Sequence, residues 1–316
     1  MIQPNTSFYN TDFLALHDFS KKDITYLLDE AITMKAMQKK GIPHPYLAGK
    51  VLGMIFEKSS TRTRVSFEVG MLQLGGQAIF LSSNDLQLGR GETIADTACV
   101  LSRYVDGIMI RTFGHDKIEE LAEAASTPVI NGLTDSHHPC QVLADLLTIL
   151  EHKGTLQGLK LCYIGDGNNM ANSLLEGAVK VGMDIAIATP PGYEPDATIV
   201  SAVMEEAAKT QVEVVITTDP VTAITDADIV YTDVWASMGQ EDEQVQRLTK
   251  FKDYQINSAL CQHASAQFIF LHCLPAHRDE EVSGEIMDGP HSVVFDQAEN
   301  RLHAQKAILK ATMSQG

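Results

Sequence analysis

The segment "FEKSSTRTRVSFE" (residues 56–68) places Lys58, Arg62 and Arg64 within seven positions, interleaved with Ser59, Ser60, Thr61, Thr63 and Ser66. It follows an apolar run and opens a segment of helical period. Hydroxyls and backbone N–H groups at a helix start donate to an anion, and the helix dipole favours negative charge there. A guanidinium in the same turn adds a forked donor matched to phosphate oxygens. Cations at a helix start oppose the dipole unless an anion compensates them, so the segment reads as an anion cradle. The alternative is a Ser/Thr N-cap with solvated arginines.

Five further loops carry reactive types. Arg111 ends the run "GIMIRT", where it serves either a ligand or the surface. "DSHHPCQ" brings His137, His138, Cys140 and Gln141 to a helix start and suits hydrogen bonds to a small polar substrate. Its spacing matches no common zinc pattern. "YIGDGNNM" resembles a dinucleotide turn, but Met170 stands where G-x-G-x-x-G has its third glycine, which weakens a nicotinamide reading. A close backbone approach to some ligand survives there. "DVWASMGQE" offers Asp233 as an acceptor for an ammonium group. "HCLPAHR" offers Cys273 as an acid/base or nucleophile, or as a buried small hydrophobe. His272, Cys273 and His277 are a weaker, metal-ligating alternative.

These loops need a scaffold that presents the ends of strands. Runs such as "KVLGMIF", "QAIFLSS", "GIMIRT" and "PVINGL" are apolar on consecutive positions, as strands covered on both faces are. Six more follow: "LKLCYIGDG", "DIAIATP", "VEVVITT", "ADIVYTDVW", "QFIFLHCLP" and "SVVFDQ". Segments of three- and four-residue period alternate with them. The expected fold is α/β, with two doubly wound domains on parallel central sheets of four and six strands. The boundary is placed near "EHKGTLQGLK", giving domains 1–150 and 151–298. The terminal helix, about 299–316, is free to pack on either domain. Ligands in such sheets bind beyond the carboxyl ends of strands.

With 316 residues, two domains are the natural division. A net charge of -17 argues against a general nucleic-acid binder and against charge-driven membrane attachment. Five widely spaced cysteines without a CxxC pair fit free thiols in a reducing compartment. No run approaches the roughly 20 apolar residues of a membrane span. The first residues carry neither secretory nor transit-peptide features, and a cytoplasmic location is expected.

Taken in order, "SSTRTR", the Gln of "LQLGRGET", Arg111, "HPCQ", "DVWASMGQE" and "HCLP" resemble the motifs of ornithine carbamoyltransferases over essentially the whole chain. The resemblance implies two domains with the active site in the cleft between them, and a terminal helix that packs back on the first. It implies that Ser60, Thr61, Arg62 and Thr63 bind the phosphate of carbamoyl phosphate. Arg111, His138 and Thr63 would hold the carbonyl oxygen, and Pro139, Cys140 and Gln141 the carbamoyl end, with Gln141 on its nitrogen. The Cys273 and Leu274 carbonyls would share that amide, with Arg301 nearby. Gln87 would reach the phosphate of a neighbouring subunit in a homotrimer with sites at its interfaces. Asn169, Asp233, Ser237 and Met238 would take the α-amino and carboxylate groups of L-ornithine.

The implied catalytic set is Cys273, Asp233, Arg62, Arg111 and His138, with no cofactor and no metal. The Leu274-Pro275 bond would be cis. Aspartate carbamoyltransferases show His-Pro-Leu-Pro in place of "HCLP", lack Ser-Met-Gly and carry a lysine where this chain has Arg90. Putrescine lacks the α-carboxylate that Ser-Met-Gly would hold, and a blocked acetylornithine amine would not need Asp233. A non-catalytic paralogue of the same fold and a dehydrogenase are the readings from other classes.

Overall fold

The computed structural model describes residues 8–82, 91–236 and 243–315. Gln87, Arg90, Ser237 and Met238 lie outside the described residues. The chain divides into two compact units, Met1–Leu147 with Glu299–Gly316, and Thr148–Ala298. The division falls inside the helix Pro139–Lys153.

The first unit is built on β1 (Val51–Phe56), β2 (Gln77–Ser82), β3 (Gly107–Arg111) and β4 (Val129–Leu133). All pairings are parallel and the strand order is β2-β1-β3-β4. Ile55, Val105, Ile108, Ile110, Ile118, Leu121 and Val129 form one core cluster of this unit. The order reverses between β1 and β3, the point at which open parallel sheets bind ligands. The "SSTRTR" segment and Arg111 leave the sheet there.

The second unit carries β5 (Lys160–Ile164), β6 (Asp184–Ala188), β7 (Val214–Thr217), β8 (Ile229–Thr232) and β9 (Ile269–His272). Its parallel order, β7-β6-β5-β8-β9, reverses between β5 and β8. "GDGNN" follows β5 and Asp233 follows β8. Each unit thus directs its reactive loops from its own switch point.

"SVVFDQ" is not a tenth strand. Ser292 makes an isolated bridge to Phe270, and the helix Val294–Met313 starts two residues later. The chain bonds to β9 at one position, through His291 O and Val293 N, and then coils. Asp296 in the first turn suits that helix start. The helix therefore begins five residues ahead of the expected 299. In the first unit it is tied by polar bonds: Lys35 Nζ donates to Asn300 Oδ1 at 2.7 Å, and Lys306 Nζ to Gln73 Oε1 at 2.9 Å. Among the described residues no helix is long and apolar enough to cross a membrane.

Gly167 overturns one expectation. A Cβ there would lie 2.3 Å from Glu194 C and Pro195 N, and Gly167 N donates to Tyr193 O at 2.8 Å. The close backbone approach is to the chain itself, leaving no room for a pyrophosphate at this glycine. Gly167→Ala is expected to lower stability by about 1–3 kcal/mol or more, because the obstacle is backbone and cannot rotate away. Denaturant unfolding would check this.

Candidate active site

In the first unit, the helix Thr61–Gln73 starts directly after the switch-point turn. Ser60 is its N-cap, with its hydroxyl accepting from Thr63 N at 3.2 Å. Thr61 and Arg62 occupy the first helical positions. Arg301 Nη2 donates to the buried Thr63 hydroxyl at 2.8 Å, so the terminal helix supplies a second guanidinium beside the turn. Arg111, at the end of β3, and His138, just before the helix Pro139–Lys153, are also buried.

Burial, and then the positive charges of Arg301, Arg111 and Arg62, hold the His138 imidazole well below its usual pKa. The ring is therefore neutral at pH 7. Three guanidinium groups felt by one desolvated imidazole form a strongly positive, low-dielectric site. A neutral imidazole N–H can donate to a developing oxyanion without surrendering its proton.

Gln141 gives the site its other polarity. Its Nε2 donates to Asp145 Oδ1 at 2.8 Å, which leaves the buried Oε1 as an acceptor. A carbonyl oxygen is what an amide nitrogen requires. The Cys140 thiol is turned to the Asn131 carbonyl at 3.2 Å, and burial pushes its pKa up to about 12. Only the backbone of Cys140 is left for a ligand.

The three cations of the opening segment separate. Arg64 donates to Glu68 Oε1 at 2.9 Å and lies 3.9 Å from the Phe80 ring centroid. Lys58 donates to Asp135. Arg62 is the one that belongs to the cluster around His138.

In the second unit, both oxygens of Asp233 are engaged. Oδ1 accepts from the Cys273 thiol at 2.9 Å and from Val234 N at 2.8 Å, and Oδ2 accepts from Asn168 Nδ2 at 3.1 Å. Asn168 is the N-cap of the helix Asn169–Val181. Its Oδ1 takes Met170 N at 2.9 Å, which turns its NH2 toward Asp233. Asn169 is the first residue of that helix.

The sequence reading missed Asn168. An Asn immediately before a helical run was the signal available. It also missed Arg247, which donates to Asp166 at 2.7 Å and to Trp235 O at 2.8 Å. Burial lifts the Asp166 carboxyl to about 6 and Arg247 limits the rise, so the pair is charged at pH 7.

Cys273 and Leu274 sit on a turn with a cis Leu274-Pro275 bond and Leu274 at φ +60°. Leu274 N donates to His272 Nδ1 at 2.9 Å, and His272 Nε2 donates to Glu281 Oε1 at 3.0 Å. His277 N donates to the same carboxylate oxygen at 2.6 Å. Asp233, His272 and Cys273 each place one ligand atom within 4.8 Å of the others. Both nitrogens of His272 are taken by protein groups, so this set does not form a metal centre without rearrangement. Glu281→Ala is expected to cost about 2–4 kcal/mol by stranding His272, whereas Glu281→Gln keeps an acceptor and loses much less. Thermal unfolding of the two variants would check this.

A cationic cradle for a small anion on one parallel α/β unit, and a carboxylate–thiol pair suited to an amine on another, are the parts of a group transferase. The chain belongs to the aspartate/ornithine carbamoyltransferase family. The family's carbamoyl-P binding domain matches residues 11–151 and its Asp/Orn binding domain residues 157–312. The chain is 60% identical over 303 residues to the ornithine carbamoyltransferase of Carboxydothermus hydrogenoformans, covering 96% of this chain and 97% of the relative. It is 60% identical over 311 residues to that of Bacillus subtilis, covering 98% and 96%. The solved ornithine carbamoyltransferase from Pyrococcus furiosus superposes with a TM-score of 0.95 at 54% identity, covering 98% of each chain. The chain is thus an enzyme of the carbamoyl-transferring class.

Proposed function

We propose that the chain transfers the carbamoyl group of carbamoyl phosphate to the δ-amine of L-ornithine, giving L-citrulline and phosphate. The observation that carries this reading is the capped turn of Ser60 to Thr63, where Arg301 Nη2 donates to the Thr63 hydroxyl at 2.8 Å and Arg62 stands in the same helical turn, with Arg111 and His138 buried in the same unit. The choice of ornithine is supported by the relatives of about 60% identity named for that acceptor.

In this reading Ser60, Thr61, Arg62 and Thr63 hold the phosphate, and Gln141 Oε1 accepts from the carbamoyl nitrogen. The Cys273 and Leu274 carbonyls share that nitrogen, and Pro139 and Cys140 contribute backbone. The amine lone pair attacks the carbonyl carbon and the C=O electrons move to oxygen. Arg111, His138 and Thr63 stabilise the oxyanion. Reforming the C=O breaks the bond to phosphate oxygen; one proton from the attacking nitrogen passes to that oxygen, so phosphate leaves as the hydrogen phosphate dianion that Arg62 stabilises. The ammonium of the attacking nitrogen first gives one proton to the Cys273–Asp233 pair, which acts as a unit. Asp233, Asn169, Ser237 and Met238 hold the amino-acid end.

A homotrimer with sites at its interfaces, completed by Gln87 of a neighbour, belongs to the same proposal. Its support is a set of exposed apolar side chains in the first unit: Ile79 and Phe80 on the edge strand β2, and Val65 and Leu72 on the preceding helix Thr61–Gln73. Free thiols support a cytoplasmic location.

The test offers carbamoyl phosphate with L-ornithine, L-aspartate, putrescine or N-acetylornithine in parallel. Citrulline from ornithine alone is expected. Product from putrescine instead would keep the donor half and overturn the acceptor half. No product from any acceptor would favour a non-catalytic paralogue.

A further inference from the structure

Lys58 stands between the end of β1 and the N-cap Ser60, and is only 8% exposed. Its ammonium donates to Asp135, on the turn that follows β4. It also lies 4.4 Å from the centroid of the Phe113 ring, on the turn that follows β3. Backbone bonds link the same three turns: Glu57 N to Arg111 O at 2.9 Å, Thr112 N to Leu133 O at 3.0 Å, and Asp135 N to Phe113 O at 2.8 Å. Each turn leads within a few residues to part of the anion cradle. The first carries Ser60 to Thr63, the second Arg111, and the third His138 and Gln141.

We propose that Lys58 is a positioning residue that sets the spacing of these three turns through Asp135 and Phe113, and so holds the carbamoyl phosphate cradle in its working geometry. The proposal rests on the cradle being the carbamoyl phosphate site. Lys58 does not act mainly as an extra positive charge for the phosphate, because the Asp135 carboxylate in contact cancels most of its field. Removing the ammonium from water strengthens its hold on both partners relative to an exposed pair. Neither partner is itself rigidly buried: Asp135 is 59% exposed and Phe113 46%. Without Lys58 between them, both side chains are free to turn to solvent and the turns lose a shared anchor.

The two roles separate by experiment. Lys58→Met, Asp135→Asn and the double variant would be compared with the parent for carbamoyl phosphate affinity by calorimetry, and for kcat and KM with each substrate. Asp135→Asn is isosteric at an exposed position and keeps the Lys58 charge, so it tests the role even if Lys58→Met folds poorly. We expect each single variant to lower kcat/KM for carbamoyl phosphate about 10–100-fold, as loss of a charged hydrogen bond does. The double variant should be no worse than the worse single, since both break one link. The ornithine KM should hold, which a general loss of folding would not produce. Lys58→Arg should recover part of the affinity.

An Asp135→Asn enzyme that binds carbamoyl phosphate as well as the parent or better, beside a damaged Lys58→Met, would assign Lys58 an electrostatic role and overturn the proposal. Parent-like behaviour in both variants would overturn it as well. A parent that binds no carbamoyl phosphate would instead sink the reading on which it rests.

Discussion

Arg62→Ala is expected to lower kcat by at least about 100-fold, the loss found when one preorganised donor to a developing oxyanion is removed. Arg62 lies in the first turn of the helix Thr61–Gln73, and its charge adds to burial and to the charges of Arg301 and Arg111 in keeping His138 neutral. Arg62 is half-buried, and a guanidinium partly withdrawn from water is worth more than one on an open surface. Departing phosphate gains charge as the C–O bond breaks, so the interaction grows toward the transition state and its removal falls on kcat. Folding should be spared, because Ser60 still caps the helix. Arg64→Ala, two residues away, supplies the control: its guanidinium is committed to Glu68 and to the Phe80 ring, and activity should be nearly unchanged. Steady-state rates at saturating substrates would decide. A near-normal kcat for Arg62→Ala would remove the cradle from the mechanism.

Asp233→Asn is expected to reduce kcat/KM for ornithine by about 100–1,000-fold, combining a lost charge for the amino-acid end with a disrupted proton acceptor. The carboxylate accepts from three donors at once, Cys273, Val234 and Asn168. An asparagine carboxamide must turn its NH2 toward at least one of those donors. Carbamoyl phosphate affinity should survive, since the residues proposed to hold its phosphate are in the other unit. Cys273→Ala should show the same asymmetry with a smaller loss, because Asp233 keeps its charge and its other two donors. Calorimetry with carbamoyl phosphate, beside ornithine kinetics, separates the outcomes. Lost carbamoyl phosphate affinity with normal turnover in either variant would contradict the assignment.

The parts of the molecule legible in the sequence were those written locally. Consecutive Val, Ile and Leu mark β1, β3, β5 and β8 because buried parallel strands need apolar side chains on both faces. The "SSTRTR" turn, Arg111 and Asp233 were legible because they follow such strands at once. "SVVFDQ" carried the same local signal and misled, since only one of its residues bridges β9 before a helix takes over. β propensity fits a half-buried surface and cannot tell whether a partner strand is there for the whole run.

Contacts made by folding were not legible. Arg247 reaches Asp166 and Lys58 reaches Asp135 across long stretches of chain, and nothing in either neighbourhood names the partner. His272 was read as a candidate ligand, and only the geometry shows both its nitrogens committed to Leu274 and Glu281. Gly167 shows the limit from the other side. Its type signalled close approach correctly, but the approaching group is the backbone at Tyr193, Glu194 and Pro195.

Direct attack by the bound amine couples phosphate release to carbamoylation. Purified protein with limiting carbamoyl phosphate and excess L-ornithine would be followed to completion, with citrulline and inorganic phosphate both quantified. Equal amounts of the two, and no enzyme-dependent phosphate without ornithine, are the predicted result. Enzyme-dependent phosphate without citrulline would make the chain a hydrolase of its donor and contradict direct attack by the bound amine.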